Sequence, residues 1–146
     1  MCGVTDMPDI TGVWRLRSYS LKNLETGELF QPYGDRPDGV LILLPEGRMV
    51  ALTHPSDRKP PETEADQADI FRRMLAYSGP YRLEPPDRFV TTVDVAWNPL
   101  WIGSEQARTF TLDGDSLNVV SSPSKYPPAG DALVVGILSW VREKVS

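Results

Sequence analysis

Residues Trp97 to Val120 read W-N-P-L-W-I-G-S-E-Q-A-R-T-F-T-L-D-G-D-S-L-N-V-V. Asp113-Gly114, flanked by alternating residues, is a hairpin signal. Alternation places Gln106, Arg108, Phe110 and Leu112 on one face of the first strand. Ala107, Thr109 and Thr111 fall on the other. The face with the larger apolar residues is the one expected to be buried, yet it carries an amide and a guanidinium. In a solid core these groups cost free energy unless partnered. A barrel with a hollow interior removes the conflict, because the same groups then line a pocket.

Outward from this hairpin, the chain reads as short strands joined by turns. Thr11 to Leu21 is a first strand, with Trp14, Leu16, Ser18 and Ser20 on one face and Val13, Arg15, Arg17 and Tyr19 on the other. Glu28 to Phe30 returns after a turn at Glu25-Thr26-Gly27. Val40 to Leu44 and Met49 to His54 flank the turn Pro45-Glu46-Gly47. Tyr81 to Leu83 and Arg88 to Ala96 flank Pro85-Pro86-Asp87. Ser116 to Ser121 completes the opening hairpin, Pro123 to Gly130 is a loop, and Ala132 to Arg142 is the last strand. One helix interrupts them, about residues 63–77. Thr63-x-x-Asp66 resembles a capping box, and Gly79 is placed to stop the helix. Ile70, Phe71, Met74, Leu75 and Ser78 share one side at helical spacing, a stripe expected to pack on the sheet. The fold class is therefore all-β: eight or nine antiparallel strands in a meander closed into a barrel. Eight strands leave room for one small ligand.

Composition bounds the function. The chain has 146 residues and a net charge of -5, with acidic residues spread along it. That argues against nucleic acid and against an anionic membrane as partner. The length suits one domain, taken as 11–146 after a flexible tail of 1–10. The single cysteine, Cys2, permits no internal disulfide. No signal-peptide pattern and no run of about eighteen apolar residues is present, so a cytoplasmic protein is expected. The expected partner is a small hydrophobic molecule, and a homodimer is compatible with the composition.

The ordered motifs resemble the lipocalin-like domain family of calycin-type barrels. They are Gly12-x-Trp14-x-Leu16-x-Ser18, Pro32-x-Gly34, Gly39-x-Leu41, Gly47-Arg48-Met49 and Tyr77-x-Gly79-x-Tyr81. The series continues with Asn98-Pro-x-Trp101-x-Gly103-x-Glu105-Gln106-x-Arg108, Leu112-x-Gly114-Asp115-x-Leu117 and Trp140-x-Arg142. The resemblance covers nearly the whole chain. It implies a barrel, a small apolar ligand, and Arg142 packed over Trp14. Relatives often carry His before the Asn-Pro-x-Trp segment, where this chain reads Val90-Thr91-Thr92-Val93. Histidine-dependent chemistry is not implied for it.

Arg108 is the first candidate for chemistry. Facing a cavity, it can hold a carboxylate, phenolate or enolate by charge-assisted hydrogen bonds, or stabilise an enolate as charge develops. It reads equally well as half of an ion pair with Asp94 or Glu105. Gln106 is its companion. Tyr81 and His54 are candidates to move a proton. His54 is the only histidine, at a strand end where a barrel mouth is expected. Tyr77, Trp97, Trp101, Phe110 and Ser18 are candidate ligand contacts, each with core packing or plugging of the barrel as the plainer use. No phosphate loop, hydrolase elbow or metal-ligand spacing is present, so neither cofactor nor metal is expected. The expected function is binding of an aromatic, polyketide-like or terpenoid-like molecule and its cofactor-independent cyclisation, isomerisation or dehydration. A carrier without catalysis is the alternative, and a barrel filled by its own side chains the third reading.

Overall fold

The computed structural model describes residues 8–125 and 132–144. Cys2 and most of the loop expected over 123–130 lie outside them. The strands are β1 (Gly12–Asn23), β2 (Leu29–Phe30), β3 (Pro37–Leu43), β4 (Arg48–Pro55), β5 (Leu75–Glu84), β6 (Arg88–Thr92), β7 (Val95–Ala96), β8 (Glu105–Asp113), β9 (Ser116–Ser121), β10 (Ser124–Lys125) and β11 (Leu133–Arg142). A helix α1 (Glu64–Arg72) joins β4 to β5, and a 3₁₀ turn (Pro99–Trp101) precedes β8.

Eight strands form the wall in the order β11-β9-β8-β6-β5-β4-β3-β1, and β1 pairs back onto β11 to close it. Every pairing is antiparallel. Closure removes the free edges that an open sheet of this size would expose. One end is sealed. The Arg142 guanidinium lies 4.3 Å from the Trp14 ring centroid, as the family resemblance implies. It also donates to the Thr11 carbonyl at 2.7 Å. Trp14 is fully buried, and its indole N–H donates to the Ile10 carbonyl at 3.0 Å. Ile10 itself is buried, so the last residue of the expected tail belongs to this seal.

Four local expectations differ from the structure. The two-residue turn after β8 is Gly114-Asp115, because Asp113 pairs with Ser116. Gly114 takes φ 60°, a left-handed value suited to glycine. In β1, Leu16 pairs with Trp140 but Ser18 pairs with Ser139. Arg17 is the extra residue of a bulge, and one extra residue exchanges the faces of everything after it. Tyr19 and Leu21 therefore face the interior, and Ser18 and Ser20 do not line it.

The helix is shorter than 63–77. Its capping box forms as read, with Thr63 and Asp66 exchanging hydrogen bonds. It stops at Arg72, however, and none of its residues is buried. Residues Leu75 to Pro80 instead pair with Thr53 to Arg48 of β4. Gly79 is not a helix stop but a point of close approach. A Cβ there would sit 2.8 Å from the Thr92 carbonyl carbon and closer still to its oxygen. Finally, Arg88 to Ala96 is not one strand. It breaks at Val93, whose N–H and C=O bond to Ser104 and Gly103.

Candidate functional site

The end of the barrel opposite the Trp14–Arg142 seal opens into a cavity of about 540 Å³. This lies within the ~300–1,000 Å³ usual for small-molecule sites. The interior is hollow because its wall residues do not meet across it. Leu41, Met49, Ala51, Val119 and Leu138 line it with modest side chains, and Phe89 and Trp140 with rings. Tyr77 and Trp101 pack at 5.1 Å between centroids, and Tyr19 meets Tyr33 edge-on at 4.9 Å. The Tyr33 hydroxyl is 3.1 Å from the Thr53 hydroxyl oxygen.

Polar groups gather where β8 begins and β9 ends, toward the mouth. Antiparallel register puts Phe89, Arg108 and Ser121 on one rung of the wall, and Thr91 and Gln106 on the next. The Ser104 hydroxyl donates to the Trp101 carbonyl at 2.5 Å and accepts from the Gln106 amide nitrogen at 2.9 Å. The Gln106 amide oxygen in turn accepts from Arg108 at 3.3 Å, and Arg108 also donates to the Ala107 carbonyl at 2.9 Å. This chain of donors fixes the guanidinium plane. Two of its five N–H groups are used, leaving the others without a protein partner among the described residues.

The ion pair read as an alternative for Arg108 does not form. Asp94 makes a two-pronged pair with Arg48, at 2.6 and 3.0 Å. Glu105 accepts from Arg82 at 2.8 Å and from the Thr92 hydroxyl at 3.1 Å. Hydrogen bonds from these arginines hold both carboxyls below their ordinary pKa values. Neither is free to act as a base near neutrality. Among the described residues, no group of three or more His, Cys, Asp or Glu could hold a metal.

Of the residues singled out from sequence, Arg108, Gln106, Tyr77 and Trp101 line the cavity together. The others do not. His54 follows the inward Thr53 on β4 and so points outward, its ring nitrogen 2.7 Å from the Pro55 carbonyl oxygen. Tyr81 donates its hydroxyl to the Leu44 carbonyl at 2.8 Å, and burial raises its pKa. A phenol so committed is a poor proton carrier. Phe110 lies one inward position deeper than Arg108 and packs on Phe89 at 6.1 Å, in the core below the cavity. Trp97 stands behind Trp101 at 5.3 Å and donates to the Phe71 carbonyl, tying the end of α1 to the mouth. Ser18 was displaced by the bulge.

A family description for the lipocalin-like domain matches residues 11–143. The chain belongs to this family. No curated protein matches it. A lipocalin-like barrel is suited to small hydrophobic ligands, and the cavity has the size and lining for one. Sequence reading of the lipocalin-like wall missed Tyr19, Tyr33 and Ser121. Tyr19 was hidden by the bulge. Tyr33 sits in a Pro- and Gly-rich loop with no periodicity. A tyrosine between Pro32 and Gly34 was the available signal, since connecting loops lie on the surface and often carry functional residues.

Proposed function

We propose that this lipocalin-like protein binds a small, largely apolar molecule of the aromatic, polyketide-like or terpenoid-like kind inside the barrel. The observation that carries the reading is the open cavity of about 540 Å³ with an aliphatic and aromatic lining. Burying apolar ligand surface there supplies roughly 25 cal/mol per Å², and the polar lip at the mouth orients what enters. N-phenyl-1-naphthylamine, a neutral fluorescent probe, tests it. Saturable one-to-one binding is expected. A cavity-filling variant, Ala51→Phe or Leu138→Trp, should weaken it at least about tenfold while the protein stays folded by circular dichroism. No saturable binding by the wild type, or equal binding by both folded filled variants, overturns the proposal.

A second reading, cofactor-free isomerisation, cyclisation or dehydration of the bound molecule, is favoured by one observation. The Tyr77 hydroxyl lines the same cavity as Arg108 and has no hydrogen-bond partner among the described residues. Arg108 and Gln106 would polarise an oxygen, and Tyr77 would deliver or accept the proton. Shape and proximity would do the rest. The mark of catalysis is a Tyr77→Phe variant that binds the probe as the wild type does but no longer converts a molecule the wild type turns over.

A further inference from the structure

The cavity is polarised along its axis. Toward the seal lie Met49, Val119, Leu138 and Trp140; toward the mouth lie Ser104, Gln106 and Arg108, with Glu105 beside them, its carboxylate accepting from Arg82 at 2.8 Å. Arg108 is the one cationic side chain lining the cavity among the described residues. Four arginines of the outer wall are paired with carboxylates, and Arg17, which has none among the described residues, is exposed to solvent. Arg15, Arg48, Arg82 and Arg88 each have a carboxylate within 4 Å. Arg108 has none among the described residues, although its half-buried setting beside Phe89 makes an unneutralised charge costly. Its fork is held in place by Gln106 and Ala107 rather than neutralised by them.

From this we infer that the ligand is an amphiphile with a single, singly charged oxyanion at one end. The head is a carboxylate or the oxygen of an enolate or phenolate, seated on the free N–H groups of Arg108. The apolar body extends toward Trp140. A planar guanidinium matches a two-oxygen head, and charge-assisted hydrogen bonds strengthen where water is excluded. A phosphate monoester fits badly. It would bring close to two charges to one arginine, in a protein whose net charge is -5. The inference deepens the binding proposal above and rests on it.

Displacement of bound N-phenyl-1-naphthylamine at pH 8 by decanoate, decanol and decyl phosphate tests it, with wild type and Arg108→Leu. Decanoate should displace the probe about 10–100-fold more effectively than decanol from the wild type. Decyl phosphate should be weaker than decanoate. In Arg108→Leu the advantage of decanoate over decanol should vanish, the loss falling mainly on decanoate. A circular dichroism spectrum matching that of the wild type shows that the variant is folded. If the probe binds but decanoate holds no advantage, or if Arg108→Leu weakens decanol as much as decanoate, the anionic head is wrong and the apolar cavity stands. Stronger displacement by decyl phosphate overturns the single-charge limit. Failure of the probe to bind the wild type removes the binding proposal, and this inference with it.

Discussion

Arg142 shows how much one side chain can hold at the sealed end. Its guanidinium covers the Trp14 ring, donates to the Thr11 and Asp9 carbonyls, and approaches Asp115 at 3.5 Å. Gly12 is fitted to it, since a Cβ at that position would lie 2.9 Å from an Arg142 nitrogen. Removing the side chain uncovers an indole and leaves the part-buried Thr11 carbonyl unpaired. Arg142→Ala should cost about 1–3 kcal/mol of unfolding free energy, measured by urea denaturation. Arg142→Lys should recover only part of this, because an ammonium cannot fork to two carbonyls while stacking. Probe binding at the far mouth should not change. A loss as large in binding as in stability would show that the two ends are not independent. Here the residues were legible: Trp14 and Arg142 were paired by the family resemblance, and the contact forms as expected.

At the scale of elements, β5 is where periodicity misled. Ile70, Phe71, Met74, Leu75 and Ser78 fit a helical stripe, but Leu75, Tyr77 and Gly79 fit a strand equally well. Such short mixed runs satisfy both periods. The arbiter is β4, whose inward Met49, Ala51 and Thr53 offer a matching ladder to residues 75–79. Helix α1, with nothing buried, has no comparable gain to extend it. Gly79 records the outcome, because the Thr92–Val93 backbone crosses it too closely for any side chain. Gly79→Ala should therefore destabilise by about 2 kcal/mol or more in denaturant unfolding. A helix stop would tolerate alanine at a much smaller cost. A loss under about 0.5 kcal/mol would mean that the wall is not packed as described. The bulge at Arg17 is the second case, since nothing in a run of alternating residues announces an extra one.

Over the whole molecule, ion pairs tie distant parts of the wall. Arg48 of β4 reaches Asp94 beyond β6, and Arg82 of β5 reaches Glu105 of β8. Lys144 reaches Asp115 at 2.9 Å beside the seal. All three carboxyls have folded-state pKa values below the ordinary 3.8 of Asp or 4.5 of Glu, chiefly through hydrogen bonds from their basic partners. Such groups contribute fully above the unfolded value, and the contribution is lost as pH falls through the lowered one. The thermal midpoint should therefore be level with respect to these groups near neutrality and decline below about pH 4.5. The double variant Asp94→Asn, Glu105→Gln should decline less over that range, as read by circular dichroism melts. The effect per pair is modest, because exposed pairs are screened. An equally steep acid decline in the double variant would show that these pairs are not responsible.

The sequence by itself determined the barrel class, the hairpin order, the sealed end and the inward face of β8. Each of these follows from local alternation, turn chemistry or a motif, which a chain carries wherever it folds. Tertiary structure decided the faces of β1 beyond Arg17, the end of α1, and which charged groups pair. It thereby left Arg108 without a carboxylate among the described residues, turned His54 outward, and set Tyr81 in the core against Phe89 rather than at the cavity. Those outcomes depend on which strands become neighbours and in what register, and contacts between residues far apart in the chain leave no periodic trace along it.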